Sequence, residues 1–305
     1  MSAAFADSIS VRPALALAAA LATAWLPRAS DAVATRSAPE RWTPAALSTG
    51  LYESSPTFSR DGRELYFFRA DRRFGNYRLL QSRCIAGRWS APVEPAFAAP
   101  AGTLEADPAL TPDGRRLYYV SARGAANADD LDIWFVERRA DDAPWGEPRR
   151  LPAPVNSPSP ELLPRPLADG RLLFGSSRAG GHGQGDIYIA TPRRDGRWRV
   201  DNAGPPISTA ANEYEAELSR DGKVMVVVAD RGDRSHLYVH DRRDDAWVER
   251  GRVPAREDVF QVGPLLSPDG GRLLFAQADG GRSGEWFVVD LRAGADKGWP
   301  PACGR

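Results

Sequence analysis

The 305-residue chain has few of the residues that mark most metal and hydrolytic chemistry. Histidine occurs only at His182, His236 and His240, and no two histidines combine with cysteine or acidic partners at metal-ligand spacing. No Gly-x-Ser-x-Gly segment is present, which argues against the nucleophile elbow of α/β-hydrolases. The glycine-rich stretch 180–185 lies between two predicted strands, whereas a phosphate-binding loop opens a helix. The sequence therefore predicts no catalytic residue, no metal and no cofactor.

Neither sign of charge is in excess, because 40 Lys and Arg balance 40 Asp and Glu. Such a chain has no overall field that would gather nucleic acid, so nucleic-acid partners are not expected.

Long apolar runs are also missing beyond the first 27 residues. Before that point, residues 13–26 form an apolar run of 14 residues that follows Arg12, and small residues follow at 30–32. The run is short for a membrane span and typical of a secretory signal peptide. We interpret 1–32 as that signal, with an uncleaved anchor as the alternative, and 33–305 as one exported domain, periplasmic or secreted, with no transmembrane segment after cleavage.

One short pattern recurs five times and dominates the rest of the sequence. The copies are SRDG at 59–62, TPDG at 111–114, LADG at 167–170, SRDG at 219–222 and SPDG at 267–270. Successive copies are 52, 56, 52 and 48 residues apart, and a tryptophan follows each aspartate after 26 to 32 residues. A period near fifty indicates stacked or radially arranged repeats.

Each repeat predicts β structure, since Asp-Gly between apolar runs is a strong hairpin signal. In the second repeat, apolar segments lie at 107–110, 117–120 and 132–136, and Trp145 stands near a closing segment. This gives about four short strands per repeat, the composition of a β-propeller blade. The predicted fold is all-β, a propeller of four-stranded antiparallel blades.

The repeat resembles that of TolB-type β-propellers, a WD40-like family of bacterial envelope proteins. The resemblance rests on Ser-Pro-Asp-Gly before an apolar strand, on the loop at 176–181 followed by Asp186-Ile187-Tyr188, and on the later tryptophan. It covers roughly residues 53–291. It implies a propeller that binds other envelope proteins or polymers, and it is specific for the repeat more than for any one function.

Five repeats predict five blades, with six as the alternative if one blade is degenerate. Residues 33–52 are too few for another blade, but Arg41-Trp42-Thr43-Pro44 resembles the tail of a repeat. We predict that this segment supplies the outer strand of the last blade and closes the ring. Cys84, at the outer end of the first blade, and Cys303, beside the closing blade, could then be neighbours. A disulfide is permitted in an exported chain, and two unpaired cysteines are the alternative.

A glutamate stands eight residues before the turn aspartate in four repeats, at Glu53, Glu105, Glu161 and Glu213. Arginines follow the turn in three repeats, at Arg123, Arg178 and Arg231. Counting outward from a two-residue turn places the two positions almost opposite each other on the first two strands, within reach of a cross-strand pair. One interpretation is therefore a repeated structural bridge. The other is a ring of carboxylates at the channel mouth opposite the turns, which would bind a cationic peptide, a metal ion or sugar hydroxyls.

Two functional hypotheses follow. The first is a non-catalytic exported propeller that binds an envelope protein or peptide, or a polysaccharide, through its channel mouth. The second is a carbohydrate-active propeller enzyme in which one carboxylic acid and one carboxylate of the channel cleave a glycan. Catalytic acids should depart from the repeat, and Glu215, Glu217 and Asp258 are such departures.

Overall fold

The computed structural model describes residues 38–127, 129–280 and 282–303. The predicted signal peptide lies outside these residues. The described residues contain twenty β-strands and no helix, so the predicted all-β class is confirmed. The described residues therefore include no helix that could span a membrane.

The strands form five groups of four, and within each group neighbouring strands pair antiparallel. The first is β2 (Tyr52–Phe58), β3 (Glu64–Ala70), β4 (Arg78–Ile85) and β5 (Arg88–Trp89); the second is β6 (Glu105–Leu110), β7 (Arg116–Ser121), β8 (Asp132–Glu137) and β9 (Arg149–Arg150); the third is β10 (Glu161–Pro166), β11 (Leu172–Ser176), β12 (Asp186–Pro192) and β13 (Trp198–Asn202); the fourth is β14 (Asn212–Leu218), β15 (Val224–Asp230), β16 (Ser235–Arg243) and β17 (Ala246–Arg252); the fifth is β18 (Gln261–Leu266), β19 (Arg272–Asp279), β20 (Arg282–Asp290) and β1 (Glu40–Arg41).

The first strands of the five groups contact one another in a closed cycle: β2 with β6, β6 with β10, β10 with β14, β14 with β18, and β18 with β2. A closed cycle of inner strands is the architecture of a propeller, and each four-stranded group is one blade. The five inner strands therefore surround the central channel.

Features of both chain ends help to close the ring between the last blade and the first. Strand β1 pairs with β20, with Glu40 opposite Val288 and Arg41 opposite Phe287. The prediction that the segment around Arg41 completes the last blade is thus confirmed. In addition, a disulfide joins Cys84 to Cys303 across a Cα–Cα distance of 5.3 Å. The C-terminal segment is thereby fastened to the first blade.

The recurring turn is held by its own side chains. In the first blade the Asp61 carboxylate accepts hydrogen bonds from the Ser59 hydroxyl at 2.6 Å and from the Arg63 amide at 3.0 Å. The Ser59 hydroxyl oxygen also accepts a hydrogen bond from the Glu64 amide, and Gly62 has a φ of 69° that favours glycine. The turn thus satisfies its own polar groups.

A second recurring feature is a bulge in the middle of every inner strand, where the register with the second strand shifts. In four blades the bulged residue has a positive φ and precedes a proline, at Ser55, Asp107, Leu163 and Gly263. Proline fits here because an inner strand is an edge strand and a bulge needs no ladder N–H. The bulge changes the direction in which side chains point in the middle of the channel.

Candidate functional site

The four recurring glutamates lie at the end of the channel opposite the turns, and their side chains are buried. Their residues are 0 to 1 % exposed. Glu161 accepts hydrogen bonds from the Ser157 and Ser176 hydroxyls and from Arg178, the last at 2.9 Å. Burial is the main cause that raises the pKa of Glu161 to about 7, against these hydrogen bonds, which lower it. The Glu161 carboxylate thereby stabilises the loop that leads into its own blade.

The other three glutamates have similar local partners. Glu53 accepts hydrogen bonds from the Thr49 hydroxyl at 2.5 Å and from Arg69 at 2.7 Å. Glu213 accepts two from Thr209, through its amide and its hydroxyl. Local hydrogen bonds of this kind hold a loop against the blade that follows it.

Of the predicted arginine partners, two pair with the glutamates. Arg123 lies 3.4 Å from the Glu105 carboxylate, and Arg178 pairs with Glu161 as described. Arg231 instead pairs with Glu249 at 2.6 Å. Sequence reasoning missed Arg69, which stands directly opposite Glu53 across the strand pair. A ligand-binding role for these residues stays a prediction, since their contacts are internal hydrogen bonds and ion pairs that stabilise the blades.

The middle of the channel holds charged side chains that occur in one blade each. Asp107 of the second blade accepts a hydrogen bond from the Ser55 hydroxyl of the first at 2.7 Å, and another from the Leu163 amide of the third at 3.0 Å. Glu215 of the fourth blade accepts one from the Gly263 amide of the fifth at 2.7 Å. Both residues are buried. Asp107 thus links the first three blades at the axis, and Glu215 links the fourth to the fifth.

Arg165 is the cation of this cluster. Its guanidinium donates to the carbonyl oxygens of Pro108 at 3.3 Å and Pro264 at 2.9 Å, and its Nε lies 2.6 Å from the Glu217 carboxylate. A side chain of the third blade therefore contacts the second, fourth and fifth blades. We call Asp107, Arg165, Glu215 and Glu217 the axial cluster.

The carboxyl groups of the axial cluster bind protons more readily than exposed ones. Burial is the main cause that raises the pKa of Glu215 to about 8, and the nearby Asp107 carboxylate adds to it. Burial also raises the pKa of Glu217 to about 7, although Arg165 works in the opposite direction, and it raises the pKa of Asp107. Removal of these groups from water explains this, because burial disfavours the charged form of a carboxyl group.

A cavity of about 440 Å³ opens on the turn side of the axial cluster. All five inner strands line it, through Thr57, Leu110, Pro166, Glu217 and Leu265. Its rim carries Arg60, Arg171 and Arg220, and the C-terminal segment contributes Trp299 and Pro301. We call this cavity the turn-side pocket. Its volume lies within the range of about 300–1,000 Å³ that is usual for ligand pockets.

The remaining departures from the repeat are less central. Asp258 is exposed and pairs with Arg256. His236 and His240 are buried within the fourth blade. Across the described residues, no group of three or more histidine, cysteine or acidic side chains is arranged to hold a metal ion.

Comparison with known proteins places the fold. No protein-family model matches the chain, and no curated protein matches it in sequence. Solved structures do resemble it. TolB from Acinetobacter baumannii is 16% identical with a TM-score of 0.51, over 80% of this chain and 56% of that one. The putative TolB from Agrobacterium tumefaciens is 16% identical with a TM-score of 0.50, over 77% and 73%.

The fold is a TolB-like β-propeller. Another similar structure is Zg3597, a family 117 glycoside hydrolase from Zobellia galactanivorans, at 12% identity and a TM-score of 0.58, over 88% of this chain and 94% of that one. The chain spans just over half of the Acinetobacter TolB chain. At such low identity these likenesses concern the TolB-like fold alone, because proteins of one fold can differ in function.

Proposed function

We propose that this chain is a non-catalytic binding propeller exported to the bacterial cell envelope, and that it receives a segment of a partner protein in the turn-side pocket. The observation that carries the proposal is the pocket itself, an open cavity on the axis to which every blade contributes. The carboxylates that line it have other partners. Asp169 pairs with Arg171, Glu217 pairs with Arg165, and Asp221 accepts a hydrogen bond from Ser219.

Export rests on the predicted signal peptide and agrees with the disulfide, because disulfides persist in oxidising compartments. We expect mass spectrometry of the protein recovered from the periplasm or medium to give a chain that starts at residue 33. A chain recovered from membranes with residues 1–32 intact would instead support the anchor.

Site-specific photo-crosslinking tests the pocket. A photoreactive amino acid at Leu167, which lines the pocket, should crosslink to a discrete protein in the native envelope. The matched control position is Val248, an exposed residue on the outer strand of the fourth blade. Equal crosslinking from both positions, or none from Leu167, would contradict binding in the pocket.

A second candidate function is glycan cleavage, and the pair Asp107 and Glu215 favours it. Asp107 and Glu215 belong to different blades, and both lie at the central channel. Burial raises the pKa of each carboxyl group, as a general acid requires. This hypothesis predicts that envelope oligosaccharides are cleaved with release of reducing ends, and that Glu215→Gln abolishes the cleavage in a protein that still folds. Absence of cleavage by the wild type across such a screen would leave the binding function alone.

A further inference from the structure

Two of the five recurring turns carry an arginine where the others carry proline or alanine. Arg60 and Arg220 occupy the second position of the two SRDG turns, and Pro112, Ala168 and Pro268 occupy it in the other blades. All five residues line the turn-side pocket. The repeat alone therefore does not account for the two arginines, since the turn forms without them.

Neither arginine forms an ion pair with the aspartate that follows it. The aspartate next to each is engaged by its own turn: Asp61 with Ser59 and the Arg63 amide, and Asp221 with Ser219 and the Lys223 amide. Arg60 and Arg220 are exposed.

The other charged groups of the pocket lining have partners, which for Asp221 are the hydrogen-bond donors of its own turn. Arg171 pairs with Asp169 at 2.8 Å, and Glu217 pairs with Arg165. Among the hydrogen bonds and ion pairs within 38–127, 129–280 and 282–303, none involves the guanidinium of Arg60 or Arg220. The rim of the pocket thus presents two guanidinium groups, from the first and fourth blades, that have no ion-pair partner among the described residues. Guanidinium groups bind carboxylates through paired, charge-assisted hydrogen bonds.

The walls of the pocket suit a peptide more than a sugar. Four prolines line it, Pro112, Pro166, Pro268 and Pro301. The aromatic residues in the lining offer little free ring surface for stacking a sugar. Trp299 is only 9% exposed, and Phe58 packs edge-on against Trp42 with ring centroids 5.5 Å apart.

We infer that the turn-side pocket binds an acidic peptide segment, with its carboxylates held by Arg60 and Arg220. The inference rests on the proposed binding function and names the chemistry of the partner. The proline side chains of the wall contact the peptide backbone and its smaller side chains, and the two guanidinium groups select against neutral and basic segments by charge.

The test is fluorescence anisotropy of the purified exported protein with three labelled hexapeptides, (Gly-Glu)₃, (Gly-Gln)₃ and (Gly-Lys)₃. We expect (Gly-Glu)₃ to bind with an affinity that falls with added salt, and the other two to bind at least about tenfold more weakly, as expected for loss of one charge-assisted contact. The double variant R60A/R220A should lose (Gly-Glu)₃ binding by at least about tenfold for the same reason.

The matched control is R63A/R115A, which removes the same charge from turns of the same type but from residues outside the pocket lining. It should retain wild-type affinity, and thermal melts should show that both double variants are folded. The inference is overturned if (Gly-Glu)₃ does not bind, if (Gly-Gln)₃ binds equally well, or if both double variants bind alike. It is also overturned if an oligomer of uronic acid, added as a competitor, binds more tightly through the same arginines.

Failure of this inference is distinguishable from failure of the proposed function. Crosslinking from Leu167 to a discrete protein, together with indifference of the peptides to R60A/R220A, would leave the binding function standing and remove the acidic-peptide assignment. Loss of the pocket-specific crosslink would remove both.

Discussion

Two sets of carboxylates line the inner strands, and they differ in both pattern and partners. The recurring set, which includes Glu53 and Glu161, occupies the same position in four blades and bonds to residues of its own blade or entry loop. The unique set, Asp107, Glu215 and Glu217, occurs in one blade each and bonds across to other blades. Repetition therefore marks contacts that build a blade, whereas departure from repetition marks contacts that join blades at the axis.

The largest effect that the comparison predicts is for Arg165, which contacts three other blades. Arg165→Met should lower the free energy of unfolding by about 3–5 kcal/mol, because it leaves Glu217 as a buried carboxylate without its cation. Urea denaturation followed by circular dichroism would measure the loss. The double variant R165M/E217M should recover most of it, since a buried ion pair can be replaced by apolar groups at little cost. A loss in R165M below about 1 kcal/mol, the value typical of exposed pairs, would contradict the role of the axial cluster.

The next effect concerns the covalent link between the first blade and the C-terminal segment. Cys84→Ser with Cys303→Ser should lower the free energy of unfolding by about 2–4 kcal/mol, because the disulfide restricts the unfolded chain. The same urea experiment, with and without reductant, checks it. Reductant should shift the wild-type midpoint to that of the double variant and leave the variant unchanged. Equal stability of the oxidised wild type and the double variant would contradict this prediction.

The recurring set should give a smaller effect. Glu161→Ala removes the acceptor of several buried donors, so we expect a loss of about 1–3 kcal/mol, with the ring of blades intact. Glu257→Ala is the control, because that carboxylate is exposed, and it should stay within about 0.5 kcal/mol of the wild type. A greater loss in E161A than in R165M would reverse the order that the comparison predicts.

Much of the fold could be predicted from the sequence because its signals are local. The Asp-Gly turns satisfy their own hydrogen bonds within about five residues, as at Ser59, Asp61 and Glu64, so the strand order of each blade follows from the repeat. Ring closure was predicted in the same way, because Arg41-Trp42 resembles the tail of a repeat. The hydrogen bonds of the recurring glutamates are less evident from the sequence, although a serine or threonine four residues before Glu53, Glu161 and Glu213 is a usable signal.

The axial cluster could be predicted only in part. Glu215 and Glu217 stood out as departures from the repeat, but Asp107 and Arg165 did not. Their partners are about 50 to 100 residues away in sequence, as for Asp107 with Ser55 and Arg165 with Pro264, and only the closed ring brings them together. The cluster residues lie two or four positions after the recurring glutamates, so a comparison of those positions across the repeats is the signal that locates them.

The last predicted effect is on the pH dependence of stability. Burial raises the pKa of Glu215 to about 8 and that of Glu217 to about 7 from a value of 4.5. Between about pH 4.5 and pH 8 the native state retains protons that the unfolded state has lost. The free energy of unfolding should therefore fall as the pH rises through this range. Urea midpoints at pH 5, 6, 7 and 8 would measure this fall.

Glu215→Gln removes one of these groups, so its decline between pH 7 and 8 should be shallower than that of the wild type. Glu161→Gln tests the recurring set in the same way, but its window ends lower, because the pKa of Glu161 is raised only to about 7. E161Q should therefore make the decline shallower below pH 7. The decline between pH 7 and 8, which comes from Glu215, should stay as in the wild type. If both variants flattened the same interval, the axial and recurring carboxyl groups would titrate as one population, and the distinction between them would hold for their contacts but not for their charge.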